Sequence, residues 1–281
     1  MIGTIGVCSW SLRPRDAREL GVAVRACGLE AVQLALDPIR EGREGREGRW
    51  ELDATRRALD AAGVRVLSGM MGTRGEDYAT PATIRATGGF VSDALWRENL
   101  EAARANARIA QALDLDLVTL HAGFVPEDAR DPQRATIVGR LAEVARAFAE
   151  HGVRLGLETG QETAPVLLDL LAEVGRPDVG VNFDPANLIL YGTGEPLEAL
   201  RALRGRVLQA HVKDARAPAR RGEWGSEVPV GEGEVDWPAF LAEIEAAPQR
   251  IDLVVEREAG ERRVEDVRRA VARVAAYGGA A

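Results

Sequence analysis

Short apolar runs alternate with amphipathic helical stretches along the whole chain, and this alternation limits the fold more than any other feature of the sequence. The stretches between the runs place apolar residues three and four positions apart, as in ENLEAARANARIAQALD. Eight strand–helix units in succession predict a (β/α)8 barrel. The predicted strands lie near residues 4–8, 30–36, 64–69, 116–121, 154–158, 179–184, 207–212 and 251–256.

The alternative to a barrel is an open, doubly wound sheet, which has the same alternation of strands and helices. Such sheets usually carry a G-x-G-x-x-G motif after the first strand, and the segment after VCSWSL has none. The 281 residues suit one large α/β domain or two smaller ones, but no linker or change of composition divides them. We therefore expect a single (β/α)8 TIM barrel domain over residues 1–281.

Two segments between the strands are predicted to be loops. Residues 41–49 repeat EGR three times, which is typical of a solvated loop, with a lid over the site as the alternative. The segment from Asp214 to Asp236 follows the seventh strand and therefore lies at the carboxyl end of the barrel. Its glycines and Trp224 suit a cover that folds over a bound substrate, and Asp236 is expected to cap the next helix.

The composition is that of an ordinary globular protein. Apolar residues make up 46% of the chain and charged residues 28%, and no apolar run approaches the roughly 20 residues that span a membrane. The first residues lack the basic region and cleavage site of a signal peptide, so we expect a cytoplasmic protein. The net charge is −8 and the Arg-rich segments are interleaved with Glu, so no nucleic acid partner is expected.

Four apolar runs in the second half of the chain end in a side chain that binds metals. The runs VRLGLE, VGVNFD, VLQAH and IDLVVE end at Glu158, Asp184, His211 and Glu256. In each run one set of alternate positions is apolar and the other is mostly small or polar. All four endings belong to the second set, which would face the barrel axis. Because barrel strands end together at the face that holds the active site, these side chains are predicted to meet there. Singly, each would be interpreted as a paired carboxylate or a hydrogen-bonded histidine.

Three carboxylates and one imidazole are a donor set for one divalent cation. Mg²⁺ and Mn²⁺ accept this set in octahedral geometry, with positions left for substrate or water. These two ions are the predicted cofactors, with Co²⁺ or Zn²⁺ as alternatives, and the absence of Cys from the set argues against a structural zinc. Glu258, which shares the parity of Glu256, is a rival fourth ligand that ranks lower because it lies beyond the apolar run.

Four further side chains near the strand ends are predicted to contact the substrate. His121 ends the fourth strand with the parity of the ligands; a second metal or a structural role are the alternatives. Lys213 would place a cation against a substrate oxygen or carboxylate, unless it pairs with a neighbour such as Asp214. Asn187 begins the turn or helix after the sixth strand, and Trp10 presents an aromatic wall for a sugar at the end of the first strand.

The motifs that hold these residues resemble those of the xylose isomerase-like TIM barrels, the sugar isomerases and epimerases that also include endonuclease IV. The resemblance covers nearly the whole chain, through the segments CSWSL, TLHAG, LGLETG, NFDPANLILYGTG, AHVKDAR, VPVGEGEVDWPAF and LVVEREAG. In the ketose 3-epimerases of this family, a Glu, an Asp, a His and a Glu hold one divalent ion. The resemblance implies that Glu158, Asp184, His211 and Glu256 do the same in this chain. Many members carry a His three residues after the Asp, where this chain has Asn187.

The resemblance also implies a divalent-metal-dependent isomerase or epimerase of a ketose or keto-sugar, with Glu158 and Glu256 as proton carriers. One Glu would remove the proton next to the carbonyl, the ion would stabilise the enediolate as a Lewis acid, and the other Glu would return a proton. The same residues suit a dehydratase or lyase of a keto-sugar or inosose, which is the second hypothesis.

Two lesser alternatives have different partners. A sugar-binding protein without activity would use the same barrel. An endonuclease IV-like nuclease requires several metal-binding histidines, and the chain has three histidines in total. The expected partner is therefore a small sugar. Because related barrels often form dimers or tetramers, the resemblance also admits a homo-oligomer.

Overall fold

A closed barrel of parallel strands forms the centre of the molecule. The computed structural model describes residues 1–43, 50–220 and 222–278. Its strands are β1 (Ile2–Cys8), β2 (Ala31–Ala35), β3 (Arg65–Met70), β4 (Leu117–Leu120), β5 (Arg154–Glu158), β6 (Val179–Phe183), β7 (Val207–Val212), β8 (Asp214–Arg216), β9 (Ser226–Val228) and β10 (Ile251–Val255). Eight of them close the barrel in the order β1-β10-β7-β6-β5-β4-β3-β2. The predicted (β/α)8 TIM barrel is confirmed, and each predicted strand is found within two residues of its expected ends.

Helices surround the barrel. They are α1 (Ala17–Ala26), α2 (Asp37–Arg43), α3 (Leu52–Ala61), α4 (Pro81–Thr87), α5 (Trp96–Ala112), α6 (Pro132–Ala149), α7 (Ala164–Val174), α8 (Pro185–Tyr191), α9 (Pro196–Leu203), α10 (Trp237–Glu245) and α11 (Arg263–Gly278). Two short 3-10 helices span Ser9–Leu12 and Arg204–Arg206. Asp236 caps α10 as predicted, since its side chain accepts from the backbone N–H of Ala239. Of the described helices, none combines the length and the apolar character that crossing a membrane requires.

The residues that alternate along each strand lie on two different sides of the barrel wall. The apolar set packs outward against the helices, as Phe183 of β6 does against Phe240 of α10, with ring centroids 6.0 Å apart. The polar set fills the barrel interior, where Ser68 donates to Gln209 at 2.6 Å and Gln209 donates to Asn182 at 3.2 Å. Because every strand contributes one residue in two to this interior, the last inward residues of several strands converge at the carboxyl end.

The loop after β7 contains secondary structure that its glycine-rich sequence does not predict. It contains an antiparallel hairpin, in which Asp214 to Arg216 of β8 pair with Val228 to Ser226 of β9. The fully buried carboxylate of Asp214 then accepts from the backbone N–H groups of Ala215, Gly231, Gly233 and Val235, and from the indole of Trp237. One carboxylate therefore fixes both ends of this loop above the barrel.

The EGR segment is only partly within the described residues. Residues 41–43 form the last turn of α2 rather than the beginning of a loop, because the helix that starts at Asp37 continues to Arg43. This part of the prediction is wrong. Residues 44–49, on which the rest of the loop prediction depends, lie outside the described residues.

Candidate active site

Four buried side chains meet at the carboxyl end of the barrel. The ligand atoms of Glu158, Asp184, His211 and Glu256 all lie within 4.8 Å of one another. The imidazole is at the centre of the group, with Nδ1 3.6 Å from Glu158 Oε1, 3.6 Å from Asp184 Oδ2 and 3.4 Å from Glu256 Oε2. All four residues are at most 4% exposed. The structure thus brings together the four residues that the sequence singled out as metal ligands.

One carboxylate oxygen of Asp184 caps a helix, and the other has no hydrogen-bond partner. It follows β6 and caps α8, where Oδ1 accepts from the backbone N–H groups of Ala186 and Asn187 at 2.8 and 3.0 Å. Thr159 holds its backbone, accepting from the Asp184 N–H at 2.7 Å. Oδ2 is buried without a hydrogen-bond partner and points into the cluster. A buried carboxylate oxygen without a donor is costly, and a cation in the cluster would satisfy it.

His211 is oriented by a glutamine of β2. Its Nε2 lies 2.8 Å from Gln33 Oε1, which only accepts, and 3.1 Å from Asn182 Nδ2. A proton on Nε2 that is donated to Gln33 would leave the lone pair of Nδ1 for a cation. The amide of Gln33 is fixed in turn because its Nε2 donates to Thr119 at 2.8 Å. Nδ1 is buried with no hydrogen-bond partner. This is the arrangement in which proteins present a histidine to a metal.

Glu158 ends β5 and is held by two amides. Asn187 Nδ2 donates to Oε1 at 2.9 Å, and Asn182 Nδ2 donates to Oε2 at 3.2 Å. His121 is the third neighbour, with Nε2 3.8 Å from Oε1. The remaining ring nitrogen of His121 is buried without a hydrogen-bond partner, and its side chain is 14% exposed. Asn187 and His121 therefore border the cluster, on the side of Glu158.

Glu256 follows β10 and lies between an indole and an ammonium group. Trp10 Nε1 donates to Oε1 at 2.7 Å, and Lys213 Nζ donates to Oε2 at 2.8 Å. Lys213 also donates to Glu258 at 2.7 Å and to Asn187 at 3.4 Å. The alternative in which Lys213 pairs with Asp214 is wrong, because that carboxylate is occupied by the N–H groups of the loop that follows it. Glu258 lies at the rim with its side chain 53% exposed, outside the four-residue cluster.

The electrostatic surroundings shift the pKa values of the carboxylates in different directions. Burial would raise the pKa of Glu256, but Lys213 and His211 hold it well below its usual range. Burial raises the pKa of Asp184, against the lowering effect of Lys213. Burial would lower the pKa of His211, but its anionic neighbours, Glu158 and Glu256 among them, raise it well above the ordinary value. Surroundings that favour a positive charge on this imidazole also favour a divalent cation.

The sequence patterns did not assign a role to two residues of the site. Gln33 orients His211, and Asn182 donates to Glu158. Both lie at inward positions of their strands, one or two residues before the strand ends, and both are fully buried. A polar residue at such a position is the signal that identifies them.

An aromatic group lies among the segments that follow β4, β6 and β7. Tyr191, at the end of α8, contacts Trp224 of the loop after β7 and Phe124 of the loop after β4, with ring centroids 5.0 and 5.7 Å apart. The guanidinium of Arg85 covers the Phe124 ring at 4.3 Å. Trp224 belongs to the segment that is predicted to cover a substrate, and its ring packs on Tyr191 at the end of α8.

Comparison with known proteins places the chain in a family. A family model for xylose isomerase-like TIM barrels matches residues 22–277. The chain belongs to the xylose isomerase-like TIM barrel family. A solved family protein from Planctomyces limnophilus, described as a xylose isomerase domain protein, is 32% identical, and the match covers 92% of this chain and 90% of that chain at a TM-score of 0.82.

Two further proteins are similar at lower identity. A solved L-ribulose 3-epimerase has a TM-score of 0.75 and 14% identity, with 98% of this chain and 94% of that chain covered; this likeness concerns the fold alone. A 3-dehydroshikimate dehydratase from Bacillus anthracis is 26% identical over 133 residues. That match spans 42% of this chain and 47% of the relative.

Proposed function

We propose that the protein is a divalent-metal-dependent isomerase or epimerase of a ketose or keto-sugar. The observation that carries the proposal is the convergence of three carboxylates and the Nδ1 of His211 within 4.8 Å. Two of these donor atoms, Nδ1 and Asp184 Oδ2, are buried without a hydrogen-bond partner. The family and the relatives support this class of reaction, since both an epimerase and a dehydratase are among them.

The donor set fits one hard divalent cation. Glu158, Asp184, His211 and Glu256 would hold it, and three oxygens with one nitrogen suit Mn²⁺ or Mg²⁺ best, followed by Co²⁺ or Zn²⁺. When bound, such an ion supplies positive charge that stabilises the oxyanion formed when a proton leaves the carbon next to a carbonyl. The acidity of the cluster supports this interpretation, because the positive charge would offset three buried carboxylates.

Glu158 and Glu256 are the groups that would move the proton. Glu256 is kept ionised by its neighbours, which is the form that a metal ligand requires and that can accept a proton from the substrate. Glu158 approaches from another part of the barrel wall, with β6 and β7 between the two strands. Return of the proton by the second Glu from the other face of the substrate inverts a carbon, which is epimerisation. Return to the neighbouring carbon exchanges an aldose and a ketose.

The remaining side chains of the site would orient the sugar. Lys213 is 3% exposed and has a third polar neighbour in Asn187, so its ammonium group is fixed rather than free to rotate. His121 presents a ring nitrogen beside Glu158, where a substrate hydroxyl would find a partner. Trp10 holds Glu256 through its N–H, and its indole ring supplies the flat apolar surface on which sugars pack.

A dehydratase is the second candidate, and the 26% identity to a 3-dehydroshikimate dehydratase favours it. The first step would be the same removal of a proton next to a carbonyl. The C–O bond at the β carbon would then break, and the departing hydroxyl would leave as water after it takes a proton. The two candidates therefore share Glu158 and Glu256 and differ in the substrate.

Proton exchange with solvent tests the proposal. The Mn²⁺-loaded protein is incubated in D₂O with a panel of ketoses and with 3-dehydroshikimate, and the products are followed by NMR. We expect deuterium at the carbon next to the carbonyl, and its loss in both Glu158→Gln and Glu256→Gln. Glu127→Gln, at an exposed position, is the matched control and should exchange normally. Failure of the wild-type protein to exchange or convert any of these compounds would contradict the proposal and favour a binding role.

A further inference from the structure

Glu227 lies on the hairpin after β7, but its carboxylate reaches the chain that follows β10. It accepts from Arg257 Nη1 at 2.7 Å, from the backbone N–H of Glu258 at 2.9 Å and from that of Ala259 at 3.1 Å. Its side chain is 9% exposed. The three donors belong to the three consecutive residues that come directly after Glu256. One buried carboxylate thus fixes the backbone from which Glu256 extends.

The other side of the same backbone is held by the turn after β1. The N–H of Arg257 donates to Ser11 Oγ at 2.8 Å, and its guanidinium also bonds Asp266 of α11 at 3.0 Å. Ser11 belongs to the same 3-10 helix as Trp10, which donates to the carboxylate of Glu256. The strand end is therefore clamped between two loops, and a change on either side would move Glu256.

The hairpin that carries Glu227 begins directly after Lys213, beside the site. Asp214, the first residue of β8, is anchored by the N–H groups of the loop, and it comes directly after Lys213. Lys213 binds Glu256 and Glu258, and the backbone of Glu258 is one of the groups that Glu227 holds. The hairpin therefore contacts the end of β10 at two points, through the carboxylate of Glu227 and through the ammonium group of Lys213 that precedes it.

We propose that Glu227 is a positioning residue for the metal-binding carboxylate of Glu256. This inference rests on the proposed function, because it assigns Glu227 a role toward the same cation. Glu227 does not belong to the four-residue cluster, so its effect on the cation passes through the backbone of residues 257–259. If Glu227 served only stability, its removal would destabilise the fold, and any effect on metal binding would not depend on Glu256.

A double-mutant cycle on Mn²⁺ affinity separates the two roles. Free Mn²⁺ is measured by electron paramagnetic resonance during titration of the full chain, up to millimolar metal so that weakened variants stay in range. Glu227→Gln keeps the size of the side chain but turns a hydrogen-bond donor toward the backbone N–H groups. Supporting groups around a metal site typically change affinity by about 10- to 100-fold, and we expect Mn²⁺ to bind about 10-fold more weakly. In a Glu256→Gln background the same change should have less than about a twofold effect, since the carboxylate that it positions is gone.

The control is Glu232→Gln, in the same loop. Glu232 is half-exposed and pairs with Arg269 on the surface, so the affinity should change by less than about twofold. Thermal unfolding of each variant shows that the chain is folded. Unchanged affinity in Glu227→Gln, or the same weakening with and without Glu256, would overturn the positioning role and leave the proposed function standing. Wild-type protein that binds no Mn²⁺ would overturn both.

Discussion

Replacement of Glu162 by Gln should stabilise the protein much more at pH 9 than at pH 5. Glu162 lies in the loop after β5 and is 6% exposed, and its Oε1 is buried without a hydrogen-bond partner. Burial raises the pKa of this carboxyl from 4.5 to about 8. The folded protein therefore holds a proton on Glu162 that the unfolded chain has already lost at neutral pH.

The direction of this pH dependence follows from the number of protons that the folded and unfolded states bind at Glu162. Between pH 4.5 and pH 8 the folded state binds more protons at this position than the unfolded state, so the free energy of unfolding falls as the pH rises. One pKa unit corresponds to about 1.4 kcal/mol. The raised pKa of Glu162 therefore lowers the free energy of unfolding by about 1 kcal/mol at pH 5 and by about 5 kcal/mol at pH 9. Gln has the same shape without the titration. The stabilisation by Glu162→Gln should therefore be about 4 kcal/mol larger at pH 9.

Urea unfolding at the two pH values measures this difference. The exposed Glu127→Gln serves as the control and should give the same small change at both pH values. The difference between the two variants removes the contribution of all other titrating groups. Equal effects of Glu162→Gln at pH 5 and pH 9 would show that this carboxyl is hydrated or paired in solution, and would refute the reasoning.

Substitutions at three other positions test the residues that support the site. Gln33→Leu removes the acceptor for the N–H of His211, so Mn²⁺ should bind about 10- to 100-fold more weakly in a titration, whereas Gln33→Glu keeps an acceptor and should lose less. Trp10→Phe removes a hydrogen bond to a charged carboxylate, worth about 1.5–3 kcal/mol, and should slow proton exchange on an active substrate about 10- to 100-fold; an unchanged rate would exclude a role for this contact with Glu256. Asp214→Asn places an amide donor against the N–H groups of the loop and should lower the urea-unfolding free energy by about 3 kcal/mol, with an effect under about 0.5 kcal/mol contradicting its role as the anchor.

The barrel and the four-residue cluster could be predicted because both depend on short-range periodicity. Alternation in β6 assigned Asp184 to the inward set and Phe183 to the outward set, and the structure shows the same division. Strands of one barrel end at one face, so parity together with the strand end was enough to bring distant residues together. No knowledge of helix packing was needed.

The supports of the site could not be predicted, because they depend on contacts between distant loops. Glu227 meets Arg257 across 30 positions of the chain, and the glycine-rich sequence around it gives no period from which a hairpin follows. For Lys213, pairing with its neighbour Asp214 was the alternative to a substrate contact. Side chains of successive residues in an extended chain point to opposite sides, which is why the ammonium group faces the site and the carboxylate faces the loop.

Anomalous diffraction from crystals soaked in Mn²⁺ tests the central claim most directly. We expect one strong peak within about 2.0–2.4 Å of an oxygen from each of Glu158, Asp184 and Glu256 and of Nδ1 of His211. The peak should disappear in Asp184→Asn, which keeps the helix cap but loses the charge. A peak at other residues, or the absence of any peak in the cluster, would contradict the assignment of these four side chains as the metal site.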